Sequence, residues 1–177
     1  MTSVIRLFSY VLLLVSISFA NAADLSDYSL GAGDLLGITV YGEEDLSLEV
    51  RLSDAGTISY PFLGEISTNG LSTGELGEVI RSRLADGYLV NPSVNVTVIE
   101  YRQFFIYGAV EKPGAYPYQP GLTLQKAVAL AGGFTERASS DKFFVLSEDQ
   151  VNTDPVRIDI NSAISPGDTV TVEESFF

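Results

Sequence analysis

The sequence has 177 residues, of which 46% are hydrophobic and 19% charged, a composition typical of a globular protein with a buried core. Its length allows one full domain or two small ones. The formal net charge of −13 disfavours binding to nucleic acids and to anionic membranes. Histidine and cysteine are absent, which excludes histidine-based triads, thiol nucleophiles and zinc sites built on those ligands. We therefore expect a non-enzyme without a cofactor or a metal.

Residues 1–22 have the pattern of a secretory signal peptide. Arg6 precedes an apolar run over 7–17, and Ala20, Asn21 and Ala22 form an A-x-A cleavage site. The apolar run is shorter than the ~20 residues of a membrane-spanning helix, which argues against a single-pass anchor. We predict cleavage after Ala22, a periplasmic location and a mature net charge of −14, from nine Lys and Arg against 23 Asp and Glu.

The first part of the mature chain alternates strand patterns with one helix. Period-two hydrophobicity predicts a strand over 46–52, and the run 35–41 also resembles a strand. After a turn at 54–56, a short strand over 57–60 is predicted to pair back antiparallel. Ser72 and Glu75 have capping-box spacing at the start of a helix, and a strand over 94–98 follows the chain break at Asn91 and Pro92.

The second part has the element order of a β-grasp sheet wrapped on one helix. An aromatic strand over 104–110 is followed by a turn at 112–114 and a returning strand through Tyr116 and Tyr118. Thr123 is the predicted N-cap of a helix that stops at Gly132 and Gly133, and later strands are predicted at 143–146, 156–160 and 169–172. We therefore predict an α+β protein with two small mixed domains, 23–100 and 101–177, that touch across 100–103.

Several turn motifs occur in the order found in polysaccharide export proteins. The run 28–35 resembles the opening Y-x-L-G-P-G-D-x-L of that family, with Ala32 where proline is usual. The second half resembles the soluble-ligand-binding β-grasp (SLBB) domain, and the resemblance covers nearly the whole mature chain. The motif residues, which we interpret as structural turns, are Gly31, Gly33, Asp34, Pro61, Gly64, Asn91, Pro92, Gly108, Pro113, Gly114, Gly132, Gly133, Pro166, Gly167 and Asp168.

Other interpretations of these residues are weaker. A phosphate loop at 31–34 would require a following helix with a lysine, whereas a strand-like run follows. Tyr116 and Tyr118 could offer ring faces to sugars, although alternating aromatic residues on paired strands more often fill a core. The acidic residues are expected on the surface, and the sequence gives no sign of the facing carboxylates that glycoside hydrolysis needs.

The resemblance implies a component of capsular or exopolysaccharide export across the periplasm and outer membrane. We expect a homo-oligomer, a ring or an adaptor, that connects an inner-membrane polysaccharide co-polymerase to a separate outer-membrane pore, with the polysaccharide as a further partner. The chain departs from the larger members: it has no cysteine to acylate, and it ends at Phe177, soon after the last predicted strand. We therefore expect a short, non-lipidated form without its own spanning helix. The alternative is a periplasmic carbohydrate-binding or sensing module.

Overall fold

The computed structural model describes residues 28–148 and 154–175, so the predicted signal peptide lies outside the described residues. The strands are β1 (Leu35–Val40), β2 (Leu48–Arg51), β3 (Thr57–Tyr60), β4 (Gly64–Ser67), β5 (Val94–Glu100), β6 (Phe104–Gly108), β7 (Gly114–Tyr116), β8 (Ala138–Leu146), β9 (Val156–Ile158) and β10 (Thr169–Glu174). The helices are α1 (Thr73–Ala85) and α2 (Leu124–Leu130), with a 3-10 turn at Glu44–Leu46.

The first domain is an antiparallel sheet of order β2-β1-β5, with α1 packed beside β5. The predicted capping box is confirmed: the Ser72 hydroxyl accepts a hydrogen bond from the Glu75 amide, and the Glu75 carboxylate accepts one from the Ser72 amide. These bonds satisfy two of the amide groups that a helix leaves without intrahelical partners at its start. Leu76, Ile80 and Leu84 then form one fully buried stripe against the sheet.

The predicted pairing of the strand at 57–60 was wrong. This strand, β3, pairs with β4 in a separate two-stranded hairpin, while β2 pairs with β1. Ile58 and Ile66 lie opposite each other in the hairpin and are both buried, so the hairpin contributes its apolar face to the first core. The predicted strand over 46–52 is also shorter than expected, since Leu46 belongs to the 3-10 turn.

The second domain has the predicted β-grasp order. Its five-stranded sheet runs β7-β6-β10-β8-β9, with β6 and β10 parallel at the centre and the other pairs antiparallel. Thr123 caps α2 by accepting a hydrogen bond from the Lys126 amide, as predicted. The returning strand ends at Tyr116 and does not include Tyr118.

Each domain has its own hydrophobic core. The first core is formed by residues from β1 to β5 and α1, and the second by residues from β6 to β10 and α2. The predicted α+β class with two small mixed domains is therefore confirmed. Within residues 28–148 and 154–175, no helix is long and apolar enough to cross a membrane.

Candidate functional site at the domain junction

The two domains meet at a buried ion pair between Asp34 and Arg102. Asp34 immediately precedes β1, the first domain's central strand, and is 0% exposed, while Arg102 lies in the short connection between β5 and β6 and is 9% exposed. The Arg102 backbone amide donates to Asp34 Oδ1 at 2.7 Å, and its Nη1 lies 3.5 Å from Asp34 Oδ2. The side chain also reaches the second domain, where Nε donates to Glu148 Oε2 at 2.7 Å. The contact predicted across 100–103 is therefore confirmed.

Tyr28 completes this cluster from the start of the described chain. Its hydroxyl donates to Asp34 Oδ2 at 2.6 Å and accepts from Arg102 Nη1 at 2.6 Å. The Arg102 guanidinium carbon lies 5.5 Å from the centre of the Tyr28 ring, within the range of a cation–π interaction. Among the described residues, no buried side-chain nitrogen or oxygen lacks a hydrogen-bond partner, as burial of charge requires.

The cluster perturbs the acid–base behaviour of its tyrosine and arginine. Burial and the hydrogen bond to Asp34 raise the pKa of Tyr28 well above its ordinary value of 10.0, because both favour the neutral phenol. Burial alone would lower the pKa of Arg102, but its electrostatic interactions with Tyr28, Asp34 and Glu148 raise that pKa overall. Tyr28 is therefore a neutral donor and Arg102 a permanent cation at all physiological pH values.

Two motif glycines make room for Arg102. A Cβ added at Gly31 would overlap the Arg102 guanidinium, and one at Gly167 would lie 2.7 Å from Arg102 Nε and would overlap Glu148. Gly167 also has a φ of 83°, which favours glycine. Gly31 belongs to the turn that opens the first domain, and Gly167 to the turn before β10. The structure thus brings motifs 136 positions apart in the chain onto one arginine.

The aspartates of these two motifs hold their turns in the same way. Asp34 Oδ2 accepts from the Gly31 amide at 2.9 Å, and Asp168 Oδ2 accepts from the Ser165 amide at 2.8 Å. Each aspartate therefore bonds the amide three residues before it, which is the local bonding expected of aspartate in a turn. Pro166 and Asp168 are buried beside the start of β6, since the Asp168 carbonyl accepts from the Phe105 amide at 2.8 Å.

Gly33 also lies at the junction, where an added Cβ would be 3.6 Å from the Arg102 Cβ. The remaining predicted motif residues occupy other turns and strand ends. Gly33 has a positive φ at the turn into β1, while Gly64, Asn91, Gly108, Gly132 and Gly133 have positive φ at other turns or strand ends. Gly108 also has no room for a side chain, because an added Cβ would overlap the Val172 carbonyl oxygen. Pro61, Pro92, Pro113 and Gly114 lie in the connections at 61–63, 91–93 and 111–113 or at the first residue of β7.

The two candidate sugar-contacting tyrosines have different environments. Tyr116 stacks on the buried Phe104, with ring centres 5.9 Å apart, and its hydroxyl donates to the Lys112 carbonyl. Tyr118 contacts Tyr101 edge-on at 5.4 Å, and Tyr101 contacts Tyr28 at 5.1 Å, so a row of three rings crosses the junction. Tyr118, but not Tyr116, lines an open groove beside the junction.

An open groove of about 1440 Å³ lies alongside the junction. The first domain contributes the end of β5 and Arg51 to its wall. The second domain contributes Phe105, Tyr118 and Leu146, together with the Arg102–Glu148 pair. Among the described residues, no cluster of three acidic side chains could hold a metal ion. The groove can therefore offer aromatic faces, amides and paired charges to a ligand.

Sequence reasoning missed Tyr28, Arg102 and Glu148 as members of one site. They are far apart in the chain, and arginine is normally a surface residue, so nothing in the sequence around Arg102 indicates its burial. The available signal was positional: Arg102 lies in the segment predicted to join the domains, and Tyr28 begins the first motif.

Comparison with known proteins agrees with this two-part organisation. A family model described as "Polysaccharide biosynthesis/export protein" matches residues 22–99, and an SLBB domain model matches residues 103–158. The "Exopolysaccharide production protein ExoF" of Rhizobium meliloti (strain 1021) is 32% identical over 138 residues, which cover 71% of this chain and 33% of that protein. The chain belongs to the polysaccharide export protein family. The segment between the two matches, 100–102, is the one that carries Arg102.

More distant relatives of this chain include two proteins named "Polysialic acid transport protein KpsD" from Escherichia coli. Each is 25% identical over 109 residues, which cover 60% of this chain and 20% of the relative. The chain thus spans about a third of the ExoF length and a fifth of the KpsD length.

Proposed function

We propose that this chain is a non-catalytic component of capsular or exopolysaccharide export that acts in the periplasm, either free there or associated with the outer membrane. The observation that carries the proposal is the order of its two family segments, an export segment followed by an SLBB segment, across the buried Asp34–Arg102 junction. Relatives of the same family are named for exopolysaccharide production and for polysialic acid transport, which supports a polysaccharide as the cargo. The proposed domains are 23–100 and 101–177, after a signal peptide at 1–22.

The proposed export component works as a homo-oligomer, closed as a ring by head-to-tail contacts between copies. Its partners are an inner-membrane polysaccharide co-polymerase and a separate outer-membrane pore. Exposed apolar side chains at Phe62, Tyr88 and Val90 support self-association, because exposed apolar surface on soluble proteins often marks interaction sites. Val90 lies two residues from Tyr88 in the same loop. The rings of Phe62 and Tyr88, which lie in two different loops, contact each other with their centres 6.1 Å apart.

Size-exclusion chromatography with light scattering tests the oligomer. We expect an assembly larger than a monomer, and we expect Val90→Glu to shift it towards the monomer, since the valine side chain is almost fully exposed and the substitution leaves the cores intact. Thr39→Glu, an exposed substitution on β1, is the matched charge control. A strict monomer at high concentration, with and without the co-polymerase, would contradict the ring.

Deletion of the gene in its host tests the export function itself. We expect loss of surface polysaccharide and retention of polymer in the periplasm, measured separately in the two fractions. The intact gene should restore secretion, whereas a gene lacking residues 1–22 should not, because its product would stay in the cytoplasm. Unchanged secretion in the deletion strain would refute the proposal. Incubation of the purified protein with the host polymer, followed by sizing, checks the non-catalytic assignment: we expect the chain length to stay the same.

A further inference from the structure

The outer face of the second sheet carries exposed aromatic rings. Phe104 and Ile106 point into the second core and are fully buried, so Phe105 and Tyr107 point to the opposite face, where each is 41% exposed. Leu146, on the neighbouring part of this face, lies opposite Thr169 in the β8–β10 pairing. The solvent-facing side of a sheet normally carries polar and charged residues. Packing in the second core therefore does not explain the aromatic residues Phe105 and Tyr107 on this side of β6.

This aromatic face continues into the groove at the junction. Phe105, Leu146 and Thr169 form the part of the groove wall that comes from the sheet, and Tyr118 lines the groove from the loop that follows β7. The first domain supplies the opposite side through the end of β5. Because the Arg102 cluster fixes the two domains against each other, the groove is part of the folded structure and does not need a ligand to assemble it.

The charges in the groove neutralise one another. Arg51 lies 2.8 Å from Glu100, and Arg102 lies 2.7 Å from Glu148, so both arginines of the wall are already paired with carboxylates. Asp54 is the remaining acidic residue of the lining. In a chain with a net charge of −13, the groove is therefore a nearly neutral surface. The described residues that line the groove include no unpaired positive side chain that would attract an anionic ligand. Its nearly neutral surface suits an uncharged ligand, whose binding does not depend on the electrostatic potential.

Unused hydrogen-bonding groups lie beside the rings. The side-chain amides of Gln103 and Gln119 line the groove, are exposed, and make no hydrogen bond to any residue of the described chain. Each amide can donate two hydrogen bonds and accept two. Gln103 is two residues from Phe105 in the sequence, and Gln119 follows Tyr118 directly. All four side chains belong to the lining of the same groove.

We propose that this groove is a binding site for an uncharged segment of a glycan chain. The C–H faces of pyranose rings would stack on Phe105 and Tyr118, and the sugar hydroxyls would bond Gln103 and Gln119. Such a pairing of apolar ring faces with a few polar groups is how ligand sites combine contact area with orientation. The inference rests on the proposed export function, which supplies the polysaccharide, and it adds the site and the chemical class of the bound segment.

Affinity electrophoresis of the full mature chain tests the proposal. The gels contain anionic alginate, the polysaccharide purified from the host, or neutral oligosaccharides made from that polysaccharide by partial acid hydrolysis. We expect the host polysaccharide and its neutral oligosaccharides to retard the protein, and alginate to have no effect. Because an aromatic contact is worth roughly 0.5–1.5 kcal/mol, Phe105→Ala should weaken the apparent affinity by about twofold to tenfold.

The matched control is Tyr41→Ala, which removes an exposed aromatic ring at the opposite end of β1 from the junction. Three results would overturn the proposal: no retardation by the host polysaccharide or its fragments, equal affinities for the Phe105→Ala and Tyr41→Ala proteins, or stronger binding to alginate than to the neutral fragments. A change in oligomer mass on Phe105→Ala, measured by light scattering, would also overturn it, since a second copy would then occupy the groove.

The outcomes separate this inference from the export function. If gene deletion stops secretion but the groove binds no glycan, the export function stands and the binding site is refuted. If deletion leaves secretion unchanged while Phe105→Ala specifically weakens glycan binding, the site stands and the export function is refuted.

Discussion

Arg102→Ala should destabilise the protein more than any substitution at a surface ion pair. Removing the side chain leaves the Asp34 carboxylate, which is 0% exposed, without its guanidinium partner. Breaking a buried ion pair by removing one partner costs roughly 3–5 kcal/mol. We expect the lower end, about 3 kcal/mol, because the Asp34 carboxylate keeps shorter hydrogen bonds from Tyr28, Gly31 and the backbone amide at 102.

Arg51→Ala is the matched control. The Arg51–Glu100 pair has a shorter N–O distance of 2.8 Å, but its side chains are 52% and 61% exposed. Ion pairs at the surface contribute about 0–1 kcal/mol, since water already solvates both charges. Arg51 also donates to the Gly33 carbonyl from an exposed position. We therefore expect Arg51→Ala to cost less than about 1 kcal/mol, although the Arg51–Glu100 distance is shorter than the 3.5 Å between Arg102 and Asp34.

Urea unfolding measures both variants. Far-UV circular dichroism is the appropriate probe, because the sequence has no tryptophan. Since Arg102 contacts both domains, its loss should also separate the unfolding of the two cores, giving a broader transition with a lower m-value. If the free energies of unfolding of the Arg102→Ala and Arg51→Ala proteins differ by less than about 1 kcal/mol, the junction does not stabilise the fold as argued.

Three further substitutions test individual contacts. Ser72→Ala removes the N-cap of α1 and should cost about 1 kcal/mol in thermal or urea unfolding; no loss would mean that the capping box is not formed in solution. Tyr60→Phe removes a buried hydrogen bond of 2.6 Å to the Leu46 carbonyl and should cost about 1–2 kcal/mol, with an unchanged stability as the contrary result. The folded chain raises the pKa of Tyr28, so stability should fall as the pH rises above about 10, where the unfolded chain ionises first. Tyr28→Phe should make the melting temperature fall less steeply with pH between about pH 9 and pH 11, the range around the ordinary pKa of tyrosine. An unchanged slope of melting temperature against pH would show that Tyr28 does not cause the fall.

Local sequence patterns predicted the elements that are stabilised by interactions between residues close together in the sequence. The helix α1 follows from the spacing of Ser72 and Glu75 and from its apolar stripe, and the β-grasp order follows from the succession of strand, turn and helix signals. The hairpin of β3 and β4 was missed because β4, with sequence GEIS, is too short to show alternation. Its burial depends on Ile66 packing in the first core, which only the tertiary structure reveals.

The segment where the domains touch was predicted, but the side-chain contacts of the junction could not be, since they join residues 46 to 74 positions apart. Each motif indicated a turn, and the turns are present at Gly33 and Gly167. What the motifs did not indicate is the space that Gly31 and Gly167 leave for one side chain. A glycine that is required by a neighbour's size, and not by its own φ, has no signature in a single sequence, because its partner is set by the fold.

The use of an arginine at the junction is better explained by orientation than by stability. A buried ion pair often contributes no more than apolar residues of the same volume would, because burying both charges is costly. An apolar contact, however, would tolerate small rotations of one domain against the other, whereas Arg102 must satisfy Asp34 in one domain and Glu148 in the other at once. The same guanidinium lies in the wall of the groove. The contact that fixes the angle between the domains therefore also fixes the distance between the two sides of the proposed glycan site.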